Sequence, residues 1–482
     1  MDVVKWLGPT LCGVLASFPL GCASSGRVGS GGTDGAATDG AVVAGDADSA
    51  RAKRIVEAAL DGRAHAMLRE LTTVAPARLS GSANAARAVE WGLATMRAIG
   101  LDNVRAEPVM VPHWTRGEPE SCERLGDDGK SAEEYRILAL GGSEPTPEDG
   151  IAAEVMMVRS FEELQQRAAE ARGRIVFFNR PMPRILANTF RAYGQAVPQR
   201  ANGAIEAAKA GGVFALVRSM TTRIDEHPHT GMMMYDAAVP HVPSAAICTL
   251  DADALAARLE RGEHVSLRIR MHCATGPDVP SANVVGEIVG RERPDELIVV
   301  GGHLDSWDVG QGAQDDGAGI CHTLEAARLL RQLGERPRRT IRFVLFMNEE
   351  NGLRGGNGYR DAHAGEHHVA AIESDAGGDM ALGFGTSAKG ARFEFLRKAL
   401  AALEPYGMGA LTAGGGGADI GPLAASGCEM FGLSVISARY FDYHHSVLDT
   451  ADSVNERALA FGAGAIAYLA GLLADADLPP ND

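Results

Sequence analysis

Four predominantly apolar runs, each followed by a histidine or a carboxylate, constrain this chain more than any other feature. They are LIVVGG (297–302), IRFVLFM (341–347), VAAI (369–372) and FGLSVI (431–436). Runs without polar alternation suit strands buried on both faces, as in a parallel sheet sandwiched by helices. Helical segments such as ICHTLEAARLLRQL (320–333) and FEFLRKALAAL (393–403) lie between them. The fold class read from this pattern is α/β, with a central, mostly parallel sheet flanked by helices. In such sheets, sites gather beyond the carboxyl ends of the strands. His303 follows the first run and Glu349-Glu350 the second; Glu373 and Asp375 follow the third, and His444-His445 stand in the loop after the fourth.

These are the residue types a zinc site takes, since zinc accepts imidazole nitrogen and carboxylate oxygen. Two metals sharing one carboxylate can activate water and clamp a carbonyl, which points to peptide or amide hydrolysis. His303 and Asp305 form an HxD pair in which Asp305 can accept the second ring N–H or shape the site on its own. Asp315 and Asp316 lie in the glycine-rich GQGAQDDGAG (310–319), where one can bridge metals while the other caps the next helix. Glu349 and Glu350 end an apolar run, where two carboxylates are costly without partners. One of them can bind metal while the other moves protons. Strand alternation places Glu373 and Asp375 on one face, and His444 and His445 are equally ambiguous at this level.

The remaining 482-residue chain sets the context. A formal net charge of −16 disfavours nucleic acid as a partner. Seven cysteines include no CxxC pair, so they read as buried thiols. Residues 1–22 read as an export signal ending at Leu20-Gly21-Cys22, which resembles a lipoprotein cleavage site. This places the protein in the cell envelope as a lipoprotein, or as a secreted or periplasmic protein. Any membrane association is through that N-terminal lipid anchor. No later run is read as transmembrane. Residues 23–50, poor in large apolar side chains, read as a flexible linker. Order is expected from Arg51, with Ser80 and Ser82 at a helix entry. The α/β domain is then read in two parts, 51–124 and 275–478. Between them, 125–274 reads as an inserted α/β domain, with strands such as EVMMV (154–158) and FALVR (214–218). Within it, His227 and His229 of DEHPHTG are expected on a surface loop.

From Arg51 to Leu473 the chain resembles the co-catalytic dizinc aminopeptidase-like exopeptidases, and within them the carboxypeptidase Q branch. The likeness is carried by RLSGSANA, VPHWTRGEPE, FEELQQRAAEARGRIV, GAIEAAKAG, HTG, GHLDSWDVGQGAQDDGAG, ESDAGG and YHHSVLDT. It implies two zinc ions per chain. One is held by His303 and Asp375 and the other by Glu350 and His445, with Asp315 bridging them. It implies Glu349 as general base, Asp305 behind the metal site, and a cis peptide between Asp315 and Asp316. His444 stands where other members carry tyrosine and is read as an oxyanion partner. Asn348 stands where alanine is common. GGGGAD (414–419) matches a substrate-side loop, the insert resembles a protease-associated domain, and a homodimer is implied.

The resulting expectation is a zinc exopeptidase acting on dipeptides or short peptides. Its rivals are an N-acyl amidohydrolase on the same scaffold and a non-catalytic binding protein. A nuclease is disfavoured by the acidic charge and the lack of a basic stripe. A phosphatase is disfavoured only by the resemblance.

Overall fold

The computed structural model describes residues 45–481 apart from Asp127 and Glu335. The export signal of residues 1–22 lies outside the described residues. The first helix, Asp46–Leu60, takes up the last five residues read as linker, burying Ala52, Ile55, Val56 and Ala59 along one side.

An eight-stranded sheet forms the larger layer. At its centre Arg339–Phe346, Arg293–His303, His367–Glu373 and Glu429–Val435 run parallel in that spatial order. Asp102–Thr115 and Ala274–Ile288 flank one side antiparallel, and Ala381–Thr386 pairs antiparallel with Glu429–Val435 on the other. The sheet is therefore mixed, with a parallel centre, rather than mostly parallel throughout. The flanking strands Asp102–Thr115, Ala274–Ile288 and Ala381–Thr386 carry none of the four apolar runs, so the pattern was silent on their direction.

Both faces are buried, as the mainly apolar runs required. Ile298, Val300, Phe343 and Ile372 enter one core beneath the helices Ala318–Gln332 and Glu456–Asp475. Val299, Val344 and Ala371 enter the opposite core beside Tyr359 and Ile420. The helix Glu456–Asp475 is long and apolar enough to cross a membrane, which the sequence reading did not anticipate. Its side chains are almost all buried within the protein. Asn455 caps it, accepting the Ala458 N–H. Ser82 likewise caps Ala83–Ile99 by accepting from Ala85.

After Thr115 the chain leaves this sheet and builds a second eight-stranded mixed sheet, returning at Ala274. That excursion begins with the strand Ser121–Leu125, a few residues before the expected boundary. Its sheet carries helices such as Pro198–Lys209 and Thr249–Glu260. The two layers are fastened where the site will lie. Trp307, just past the His303 strand, is buried in the core of the second sheet. A Cβ at Gly141 would fall 1.8 Å from its indole, so glycine is what lets the ring seat there. Arg116 clamps Asp308 through two bonds of 2.9 and 2.6 Å.

His322, fully buried on Ala318–Gln332, meets Ser374 Oγ at 2.9 Å. Burial lowers its imidazole from 6.5 to about 4. The unfolded chain therefore takes a proton that the folded chain refuses as pH falls from 6.5 toward 4, and stability is lost in that window. This contribution is expected to cost roughly 2–3 kcal/mol between pH 7 and 4.5. Urea unfolding at both pH values should show a shallower loss in His322→Gln than in the parent. Equal losses would remove His322 from the acid response.

Candidate metal centre

The carboxyl ends of the parallel strands bring the expected residues together. His303 ends its own strand, Glu350 follows Arg339–Phe346, and Asp375 lies two residues beyond His367–Glu373. Asp315 enters from the glycine-rich loop, and its two oxygens face different neighbours. Oδ1 is 3.1 Å from His303 Nε2, which is in turn 3.5 Å from Asp375 Oδ1. Oδ2 is 3.2 Å from His445 Nε2, which lies 3.1 Å from Glu350 Oε2. Two donors on one tetrahedral zinc at about 2.1 Å would sit roughly 3.4 Å apart. These separations therefore fit atoms arranged around a metal ion.

The ambiguities of the sequence resolve through hydrogen bonds. Asp316 accepts from the backbone N–H of His303 (3.0 Å) and of Gly319 (2.8 Å), so its oxygens serve the strand end and the next helix. The peptide between Asp315 and Asp316 is cis, as expected. Glu373 accepts from the N–H of Asp419 and Ile420 at 3.4 and 2.8 Å. The strand ends at Glu373, so Asp375 is released from alternation and turns to His303. His445 touches both Asp315 and Glu350, whereas His444 approaches only Asp315, at 3.6 Å.

Asp305 departs from the simplest reading. His303 Nδ1 lies 3.1 Å from the Asp305 backbone carbonyl and 3.9 Å from its carboxylate. That carboxylate instead accepts the N–H groups of Asn348 (2.7 Å) and Glu349 (3.1 Å), fixing the turn that presents Glu349 and Glu350. Asn348 sits at φ +74°, the left-handed region that asparagine tolerates better than alanine.

Two supports were not singled out from the sequence. Asp449 accepts from the N–H groups of Ala313, Gln314 and Asp315 at 3.0, 2.6 and 3.2 Å, holding the loop that aims Asp315. Arg78, fully buried, donates to the carbonyls of Leu304, Gln311 and Gly312 at 2.6–2.8 Å. Both sit inside motifs quoted above, but nothing in their spacing reveals that they serve backbone.

His229 is a correction. It is 1% exposed rather than on the surface, and its Nδ1 lies 2.7 Å from the His444 carbonyl. The physical reason is that DEHPHTG turns inward against the loop of the main sheet that carries His444. His227 is only partly buried.

The cluster is strongly acidic for an interior. Burial opposes a charge on His303, yet Asp315 and Asp375 raise its imidazole well above the ordinary range. Burial likewise opposes protonation of His445, but Glu350 and Asp315 carry it to about 9. Burial, then the charge of Asp315, pushes Glu350 to about 7. Burial, reinforced by Asp375 and Glu350, lifts Glu349 well above the carboxylate range. Burial and the neighbouring His445 depress His444 well below 6.5, leaving it neutral. Glu350 Oε1 is buried with no hydrogen-bond partner. Carboxylates this crowded need cations, and a buried unpartnered carboxylate oxygen beside this cluster is suited to a metal.

A parallel-centred α/β sheet with a buried histidine–carboxylate cluster at its carboxyl edge defines a metal-binding α/β scaffold. The model of peptidase family M28 matches residues 283–470. The chain is 39% identical over 407 residues to carboxypeptidase Q of Xenopus laevis, covering 83% of this chain and 84% of that relative. It is 36% identical over 431 residues to carboxypeptidase Q of Homo sapiens, covering 88% and 89%. The crystal structure of a peptidase M28 precursor from Shewanella amazonensis superposes with a TM-score of 0.85 at 33% identity, over 91% of this chain and 99% of that one. The chain belongs to peptidase family M28. The zinc aminopeptidase of Bacillus subtilis shares the fold, with a TM-score of 0.63 at 19% identity over 87% of this chain and 97% of that one.

Proposed function

We propose that this protein is an exported dizinc exopeptidase that hydrolyses dipeptides or short peptides. The observation that carries the reading is the division of Asp315, one oxygen toward His303 and Asp375 and the other toward His445 and Glu350. In this reading His303 and Asp375 would hold one zinc, Glu350 and His445 would hold the other, and the two oxygens of Asp315 would serve both. Bound zinc supplies water activation and carbonyl polarisation. Glu349 takes the proton of the attacking water and returns it to the departing amine. Asp305 keeps Glu349 in place through its backbone N–H. Neutral His444 offers an N–H to the oxygen on which charge develops. Support also comes from the zinc aminopeptidase and carboxypeptidase Q likenesses.

Hydrolysis of matched unblocked and N-blocked dipeptides tests the reaction class. Cleavage confined to unblocked dipeptides is expected. Cleavage confined to N-blocked substrates would replace the reading with an N-acyl amidohydrolase. No cleavage of either set would favour a binding protein.

A further inference from the structure

The second sheet reaches into the metal centre through two residues. The Thr230 N–H donates to the His445 carbonyl at 2.9 Å, and His445 Nδ1 lies 3.2 Å from the Thr230 carbonyl. A carbonyl can only accept, so Nδ1 carries a proton, and Nε2 is the nitrogen turned toward Asp315 and Glu350. One residue earlier, His229 Nδ1 donates to the His444 carbonyl at 2.7 Å. Three hydrogen bonds thus tie a two-residue segment of one layer to a two-residue segment of the other.

This tie has work to do. His445 sits at φ +60°, a left-handed conformation uncommon for residues other than glycine. The ring of His444 stacks on that of His445 with centroids 3.5 Å apart, so displacing one displaces the other. The supporting pair is itself anchored. Thr230 Oγ1 donates to the Ala139 carbonyl at 2.8 Å, and the His229 N–H donates to Ser219 Oγ at 2.9 Å. Burial lowers the His229 imidazole to about 4, so it brings no positive charge to a cation site.

We propose that His229 and Thr230 are positioning residues that set the affinity of the metal held by Glu350 and His445. The second lobe then completes the metal centre instead of only covering it. Thr230 acts through its backbone, so His229 is the residue that mutation can address. The inference rests on the dizinc reading above.

The test equilibrates the zinc-loaded full chain against a series of zinc buffers and counts zinc per chain. Wild type should lose zinc in two steps. His229→Ala should weaken one step by about 10–100-fold and leave the other unchanged, the usual effect of removing a group that orients a ligand. His229→Asn places an amide N–H where Nδ1 stands and should return the weakened step to within about threefold of wild type, well inside the span set by that effect. His229→Gln carries its donor one atom further and should behave as the alanine variant does. A role limited to packing would not separate Asn from Gln. If His229→Ala fails to fold, the Asn and Gln variants decide alone. Two wild-type steps with equal affinities in all variants, or equal weakening of both steps, would overturn the inference while sparing the dizinc reading. A single wild-type step would overturn both.

Discussion

Replacing Glu349 with Gln is expected to lower kcat by about 10²–10⁴-fold, the usual worth of a positioned proton carrier. Metal content should stay at the wild-type level. The substitution keeps the size and the backbone of the residue, so the N–H bond to Asp305 survives and Glu350 keeps its place. Only the ability to take up and return a proton is removed. KM should change little, because the carboxylate is assigned no part in binding substrate. Steady-state kinetics on an unblocked dipeptide, with metal analysis of the same sample, checks both halves. Near-wild-type kcat would strip Glu349 of its role. Low kcat with lost metal would mean that it serves the site structurally.

Asp449→Ala is expected to damage stability and metal site together. Its carboxylate satisfies three buried backbone N–H groups in the loop leading to Asp315. Unsatisfied buried donors cost about 1–3 kcal/mol each, and partial relaxation brings the expected loss to roughly 3–5 kcal/mol. Arg78 cannot compensate, because it presents donors to carbonyls of the same region and offers no acceptor. With the loop loosened, Asp315 no longer faces both histidines, and zinc retention should fall even in the folded fraction. Urea unfolding and metal analysis of the variant measure the two effects. Wild-type stability would show that water replaces the carboxylate. Lowered stability with full metal would separate the loop from the site.

The parallel centre of the fold was legible because buried strands must be apolar on both faces, and Val299 and Val300 do enter opposite cores. The edge strands gave no such signal: Asp102–Thr115 is largely exposed or half-buried along its length. The site residues were legible as candidates, since histidines and carboxylates after apolar runs are chemically conspicuous. What separated Asp315 from Asp316, or Asp375 from Glu373, was which oxygen met a backbone N–H. That depends on loop geometry rather than on residue type. His229 shows the same limit from the other direction. A histidine in a polar loop resembles a surface residue until the packing of the two layers buries it. The early start of the first helix, at Asp46, has a plain cause: the small residues that suggested a linker also suit a helix whose burial rests on Ala52, Ile55, Val56 and Ala59.

In the dizinc reading Asp315 would serve both metal ions. Native mass spectrometry of the zinc-loaded full chain, beside Asp315→Ala, tests it most directly. Two zinc ions are expected on the parent, and loss of retention at both positions in the variant, because each position gives up one of its donors. A parent carrying a single zinc, or a variant that keeps two as firmly as the parent, would contradict it.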